Sequence, residues 1–406
     1  MSMYEPTRSP AFDPPRRFEA TPPIVCRAAS ESRGFHHVTD VGFEQVHVRS
    51  VQGRSAIPAN NAHSFTPLAE HPPLHPSASK DTDMSNLHQE SLIIDGLIIS
   101  KWDRSVFEDM NKAGLAAANC TVSVWEDFAG TVKNIAKMKR LIRDNSDLIT
   151  LVRNTADIEQ AKKDGKTGII LGFQNAHAFE DQLGYIEAFH DMGVRVVQLC
   201  YNTQNLIGTG CYERDGGLSG YGQEVVAEMN RVGIMVDLSH VGAKTSEEAI
   251  LASKKPVTYS HCLPAGLKDH PRNKSDEQLK FIADHGGFIG VTMFPPFLKR
   301  GTDATVDDYV EAIGYVINLV GDDCVGFGTD FTQGYGNDFF EWLTHDKGVN
   351  RRLTSFGTVQ NPQGIRTIGE LPNLTAAMER AGWKAERITK VMGRNWLRVF
   401  GDVWAA

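Results

Sequence analysis

Blocks of apolar and polar positions divide the chain into two unlike parts. Up to about Asn86 there is no sustained helical or alternating pattern, and Pro14-Pro15, Pro22-Pro23, Pro72-Pro73 and Pro76 interrupt a stretch rich in Ser, His and Arg. Such a segment buries too little apolar surface to offset its ordering entropy, so residues 1–86 read as a disordered leader. Its arginines suit an organelle-targeting peptide, against which Glu5, Asp13, Glu19 and Glu31 weigh. A mis-assigned start with Met84 as initiator is the plainer alternative. The folded domain is expected to begin near Leu87 and to run to residue 406.

From Leu87 onward, short apolar runs recur with amphipathic stretches between them. They are Leu92 to Ile99, Ala116 to Trp125, Leu148 to Val152, Gly168 to Phe173, Val194 to Cys200, Ile234 to Leu238, Val257 to Tyr259, Phe288 to Met293 and Cys324 to Gly328. Several are rich in Val and Ile without strict alternation, as parallel strands buried on both faces require. Helical patterns lie between them at Thr131 to Arg143, Gly222 to Arg231, Ser246 to Ala252, Asp276 to Ala283 and Val306 to Val320, and Lys384 to Phe400 reads as a final helix. This alternation predicts an α/β fold, a (β/α)8 TIM barrel. Nine runs exceed eight strands, and Leu148 to Val152 is the one expected outside the ring. No GxGxxG follows the first strand, which removes the main argument for a dinucleotide-binding sheet.

Composition narrows the class further. Of 406 residues, 42 are Lys or Arg and 50 are Asp or Glu, a formal charge of −8 that offers no basic face to nucleic acid. No run approaches the roughly 18 apolar residues of a membrane span. The six cysteines are scattered without a CxxC pair and read as reduced thiols, which predicts a cytoplasmic enzyme.

Barrel active sites sit at the C-terminal ends of the strands. Those positions hold Gln174, Tyr201, His240, His261 and Asp330, with Arg272 a little beyond His261. Histidines ending two neighbouring strands, about 4.8 Å apart, suit a shared metal ion or substrate. One such His would more often just satisfy backbone groups; the pair together with Asp330 favours a functional site.

These residues resemble the renal, or membrane, dipeptidase family of metallopeptidase barrels. The resemblance runs from about Leu92 to the C-terminus. It rests on Asp237-Leu238-Ser239-His240, the 21-residue step to His261, Arg272-Asn273, Gly326-Phe327-Gly328-Thr329-Asp330-Phe331 and the closing Val391 to Phe400 helix. It implies a dipeptide-like small-molecule substrate, zinc held by His240 and His261, a substrate carboxylate held by Arg272 and Asn273, catalytic Asp330, and a homodimer.

Departures from that pattern are as informative. The family's first-strand His-x-Asp zinc ligands fall on Leu97 and Ile99, its bridging Glu on Gln174, and its substrate-polarising His on Tyr201. Two dications about 3.5 Å apart repel by roughly 19 kcal/mol at an effective dielectric of 20, and a neutral amide cannot offset that. At most one zinc is expected, on His240 and His261 with Gln174 as a weak third ligand. Neither Cys200, which alternates with Tyr201 and so faces away, nor Cys262 is expected to rebuild the site, and His177 reads as a helix cap. The polar, turn-rich segment from Gln333 to Pro362 suits a lid.

Three functions remain open on this reading. The first is family hydrolysis of a dipeptide or related amide, with zinc activating water, Asp330 moving a proton and Tyr201 polarising the carbonyl. The second is metal-independent acid–base chemistry on an amino-acid-derived intermediate of a specialised, secondary-metabolite pathway. The third is a binding pseudoenzyme, against which the joint retention of His240, His261, Arg272 and Asp330 counts.

Overall fold

In the computed structural model, which describes residues 81–404, the apolar runs become nine parallel strands: β1 (Ile93–Ile98), β2 (Leu115–Ser123), β3 (Ile149–Leu151), β4 (Thr167–Phe173), β5 (Val194–Gln198), β6 (Met235–Asp237), β7 (Thr258–Cys262), β8 (Phe288–Val291) and β9 (Val325–Phe327). Eight of them follow the order β1-β2-β4-β5-β6-β7-β8-β9, and β3 pairs only with β4, outside that path. The extra element is therefore the one expected from sequence. Just past β9 the chain returns to β1: Ile98 bridges Phe331, Ile99 N–H donates to Phe331 O at 3.0 Å, and Asp330 N–H donates to Leu97 O at 3.0 Å. These bonds close the ring. The leader proposed for residues 1–86 lies almost wholly outside the described residues.

Helices follow the strands: α1 (Asp81–Glu90), α2 (Arg104–Lys112), α3 (Phe128–Asp144), α4 (Thr155–Lys163), α5 (Gly184–Asp191), α6 (Gly220–Val232), α7 (Ala243–Ala252), α8 (Asp276–Asp284), α9 (Val306–Val320), α10 (Asn337–Leu343), α11 (Pro372–Arg380), α12 (Ala385–Thr389) and α13 (Asn395–Trp404). Their starts are capped as the sequence allows. Asn154 and Asp157, Ser275 and Gln278, and Thr305 and Asp308 form reciprocal capping boxes at α4, α8 and α9.

The single C-terminal helix expected from Lys384 to Phe400 is in fact broken. A π turn at Lys390–Arg394 separates α12 from α13, and Gly393 there presses so closely on β1 that a Cβ would stand 2.1 Å from Leu92 O. Close docking onto the sheet overrides helical continuity. Beyond the break, Trp396 donates its indole N–H to Phe327 O at 2.9 Å and packs on Phe288 at 4.2 Å, so α13 plugs the N-terminal end of the barrel. The larger core fills the space between strands and helices, and Phe107, Phe189, Tyr309 and Phe331 are among its fully buried members.

Carboxylates fasten the barrel interior. Asp95 accepts from Thr329 N–H (2.9 Å), Thr329 Oγ1–H (2.6 Å) and Leu97 N–H (3.1 Å), tying β1 to the segment after β9. Gly328 is required beside it, because a Cβ there would lie 2.1 Å from Ser260 O.

Candidate active site

Four strand ends deliver residues to one small cavity, whereas His261 of β7 is fully buried behind it and does not line it. Gln174 follows β4, Tyr201 and Asn202 follow β5, His240 follows β6, and Asp330 follows β9; all line a space of about 380 Å3, with Ile99 beyond β1 as a neighbour. Its unfilled interior has room for only a water or two. Leu343 and Phe356 close it from the 333–362 segment, which thus covers the site as expected. That cover is fastened by Thr203 Oγ1–H donating to Asp346 Oδ1 at 3.0 Å and by an Arg351–Glu213 ion pair.

The two histidines meet directly. His240 Nε2 and His261 Nε2 are 2.9 Å apart. Asn202 Oδ1, 2.7 Å from His240 Nδ1, can only accept, which puts the proton on Nδ1 and leaves Nε2 to accept from His261 Nε2–H. His261 Nδ1 lies 2.7 Å from Ser260 Oγ, itself 2.6 Å from Asp237 Oδ2. Asp237 also takes Ser239 N–H, Ser239 Oγ–H and Ser260 N–H, making it the hub that aligns β6 with β7.

Burial sets the electrostatics. It holds the imidazoles of His240 and His261 well below their usual range, with the Arg272 charge adding to the effect. Burial also pushes the Asp330 carboxyl up to about 7, although Arg272 pulls the other way. Tyr201, stacked on His240 at 4.2 Å and edge-on to Trp125 at 5.0 Å, has its phenol pushed up by burial and then by Asp330, so it stays protonated. Backbone strain marks the same place. Asn202 and Asp330 are two of the four described non-glycine residues at positive φ (62° and 60°), and both line the cavity.

Arg272 lies behind this wall, 5.6 Å from the Phe297 ring centroid and 1% exposed. It donates to Ser239 O at 2.5 Å and His261 O at 3.0 Å, while its Nε has no partner among the described residues. Asn273 is not brought to the cavity: its amide N–H groups bind Lys268 O and Phe297 O, an assignment to loop structure rather than to substrate. Cys200 is buried away from the cavity, as its alternation with Tyr201 requires, and Cys262 is likewise buried. His177 sits in a short turn, Ala176–Phe179, on the wall of a separate pocket. Asn202 and Asp237 are the site residues that sequence reasoning left without a role. The signal for Asn202 was its side-chain type, since Asn tolerates left-handed backbone better than other non-glycine residues.

The donor set does not fit a metal centre. Among the described residues no group of three or more His, Cys, Asp or Glu converges. Leu97 and Ile99 offer no donor, and Gln174 donates its amide N–H to Thr121 Oγ1 at 3.0 Å. Two zinc–nitrogen bonds at a tetrahedral angle would hold the imidazole nitrogens about 3.3 Å apart, with a third protein ligand expected in a catalytic site. Here the nitrogens are 2.9 Å apart and bonded to one another.

A parallel (β/α)8 ring with histidines and an aspartate at its strand ends defines a barrel of the metal-hydrolase type whose metal ligands are largely replaced. The family model described as membrane dipeptidase, peptidase family M19, matches residues 45–343 and 354–406. The chain belongs to this family. It is 32% identical over 279 residues to an uncharacterized dipeptidase of Schizosaccharomyces pombe, covering 66% of this chain and 61% of that protein. It is 29% identical over 277 residues to dipeptidase tcpJ of Claviceps purpurea, covering 67% and 60%. The matched region thus spans about three fifths of the length of these curated relatives. A solved structure of an amidohydrolase from Pseudomonas aeruginosa is 70% identical, with a TM-score of 0.79, covering 80% of this chain and 99% of that one. Residues 344–353, between the two matched blocks, include Asp346 and Arg351 of the cover.

Proposed function

We propose that the chain is a dipeptidase-family hydrolase that cleaves a small amide of an amino acid bearing a free carboxylate, and that its own side chains make the proton transfers. The observation that supports this is the meeting of Asp330, Tyr201 and His240 in one cavity, and in this reading the 333–362 cover lifts to admit a substrate larger than the water or two the closed cavity holds. A carboxyl near 7 is matched to proton transfer at neutral pH. In this reading ionised Asp330 takes a proton from the attacking water and returns it to the leaving amine. Tyr201, held as the neutral phenol, donates to the oxygen on which charge develops. Arg272 lies behind the cavity wall, bound to Ser239 O and His261 O, with its Nε–H unpartnered and no ion pair among the described residues; in this reading it supplies the positive charge that a substrate carboxylate meets once that wall opens. The paired imidazoles form a fixed polar wall beneath Tyr201. No step is routed through zinc.

A panel of dipeptides and N-acyl amino acids, assayed with chelator-treated protein, tests this. Turnover that survives chelation and falls at least a hundredfold in Asp330→Asn is the expected result. Turnover that appears only with added Zn²⁺ would restore the metal mechanism. Binding without any turnover would leave the role of a binding pseudoenzyme.

A further inference from the structure

A second pocket opens beside the catalytic cavity, on the other side of Ile99, which lines both. Four of its lining residues are aromatic: Trp102, Tyr335, Phe339 and Trp342. Tyr335 stacks on Phe339 at 3.7 Å, and Phe339 on Trp342 at 5.7 Å, forming a ladder along and just before α10. Trp102, parallel to Phe107 at 6.3 Å, supplies another wall.

Glu126 also lines this pocket, and its surroundings are unusual for a half-buried carboxylate. Oε2 accepts from Val124 N–H (2.8 Å), Trp125 N–H (3.2 Å) and Ser123 Oγ–H (3.3 Å), and Oε1 accepts from Asn134 Nδ2–H (3.1 Å). Every one of these donors is neutral, and no cation lies within ion-pair distance of it among the described residues. Hydrogen bonds fix the carboxylate in place without neutralising it. Tyr335 feels this charge, since Glu126 adds to the burial that pushes its phenol up. Lys137 lines the pocket too, but as an exposed residue.

We propose that this pocket is a ligand site for a small organic cation, an alkylammonium group carried on an apolar body. Aromatic faces attract a cation through their quadrupoles, and a fixed uncompensated carboxylate adds a full charge of the right sign. An anion would be repelled by Glu126. A neutral apolar ligand would desolvate Glu126 without return. The site is distinct from the catalytic cavity and does not depend on the hydrolytic reading, although a bound ligand would lie one side chain, Ile99, away from it.

Calorimetric titration of the full chain with benzyltrimethylammonium, and separately with uncharged benzyl alcohol, tests the proposal. The cation is expected to bind at least tenfold more tightly than the alcohol. Its affinity should fall fivefold or more in Glu126→Gln and again in Trp342→Leu, each checked by circular dichroism for retained fold. Equal affinity for the two compounds would overturn the proposal. So would unchanged cation affinity in folded Trp342→Leu, the variant that leaves the Glu126 hydrogen bonds intact.

Discussion

His240 and His261 are bonded to each other, Nε2 to Nε2 at 2.9 Å, joining the ends of β6 and β7 without an intermediary. Each ring is fixed from behind, by Asn202 on one side and by Ser260 and Asp237 on the other. The hydrogen-bonding capacity that could otherwise turn to a metal is here satisfied internally.

Restoring ligands should reverse this. Leu97→His, Ile99→Asp and Gln174→Glu together return three donors to the strand ends. The triple variant is expected to bind zinc at stoichiometric level by elemental analysis after dialysis, whereas the parent chain retains a small fraction of an equivalent. Equal zinc content in the two proteins would contradict the ligand argument.

Asp330 gives a pH signature in stability. Its carboxyl is at about 7 in the folded chain against 3.8 as the ordinary value, so the folded state holds the proton more tightly. Below about pH 4 both states are protonated and the group is neutral to stability. As pH rises from 4 through 7, stability falls, because ionisation is opposed only in the folded state. Asp330→Asn removes the effect. Its stability relative to the parent should be more favourable at pH 8 than at pH 4, by up to about 4 kcal/mol. Urea unfolding at the two pH values reads the difference.

Asn202 combines left-handed backbone with the hydrogen bond to His240 Nδ1. Asn202→Ala loses the bond and keeps the strain, and should destabilise by roughly 2–3 kcal/mol. Asn202→Gly relieves the strain and should cost less. Denaturant midpoints of the two variants give the order, and a larger loss in the glycine variant would contradict it.

Gly328 lies against the Ser260 carbonyl, and backbone cannot give way as a side chain end would. Gly328→Ala is expected to lower stability by on the order of 3 kcal/mol or more, read as a fall in Tm. A neutral substitution would mean that β9 can move away from β7.

Much of this was legible from sequence because barrel strands are local signals with a shared end. Val and Ile runs located the strands, and the one or two residues after four of them located Gln174, Tyr201, His240 and Asp330 in a single cavity, although the same reasoning also chose His261, which stays buried behind it. The short third run was recognisable as surplus by count alone. What escaped depends on neighbours distant in the chain. The break at Gly393 follows from contact with Leu92, and nothing in the intervening helical pattern signals it. The loop role of Asn273 follows from carbonyls at Lys268 and Phe297. The role of Asp237 needed its register against Ser260 on the next strand. Likewise, the aromatic pocket draws on Trp102 and Trp342, which only the closed ring brings together.

The seam between Asp95 and Thr329 joins residues 234 positions apart, and Trp396 seals the floor from still later in the chain. During synthesis β1 therefore waits, with its final neighbour absent, until most of the domain has left the ribosome. The ring cannot lock strand by strand. β1, paired with β2 on one side, keeps its other edge open for nearly the whole of translation, which leaves that edge exposed to mispairing until the segment after β9 arrives.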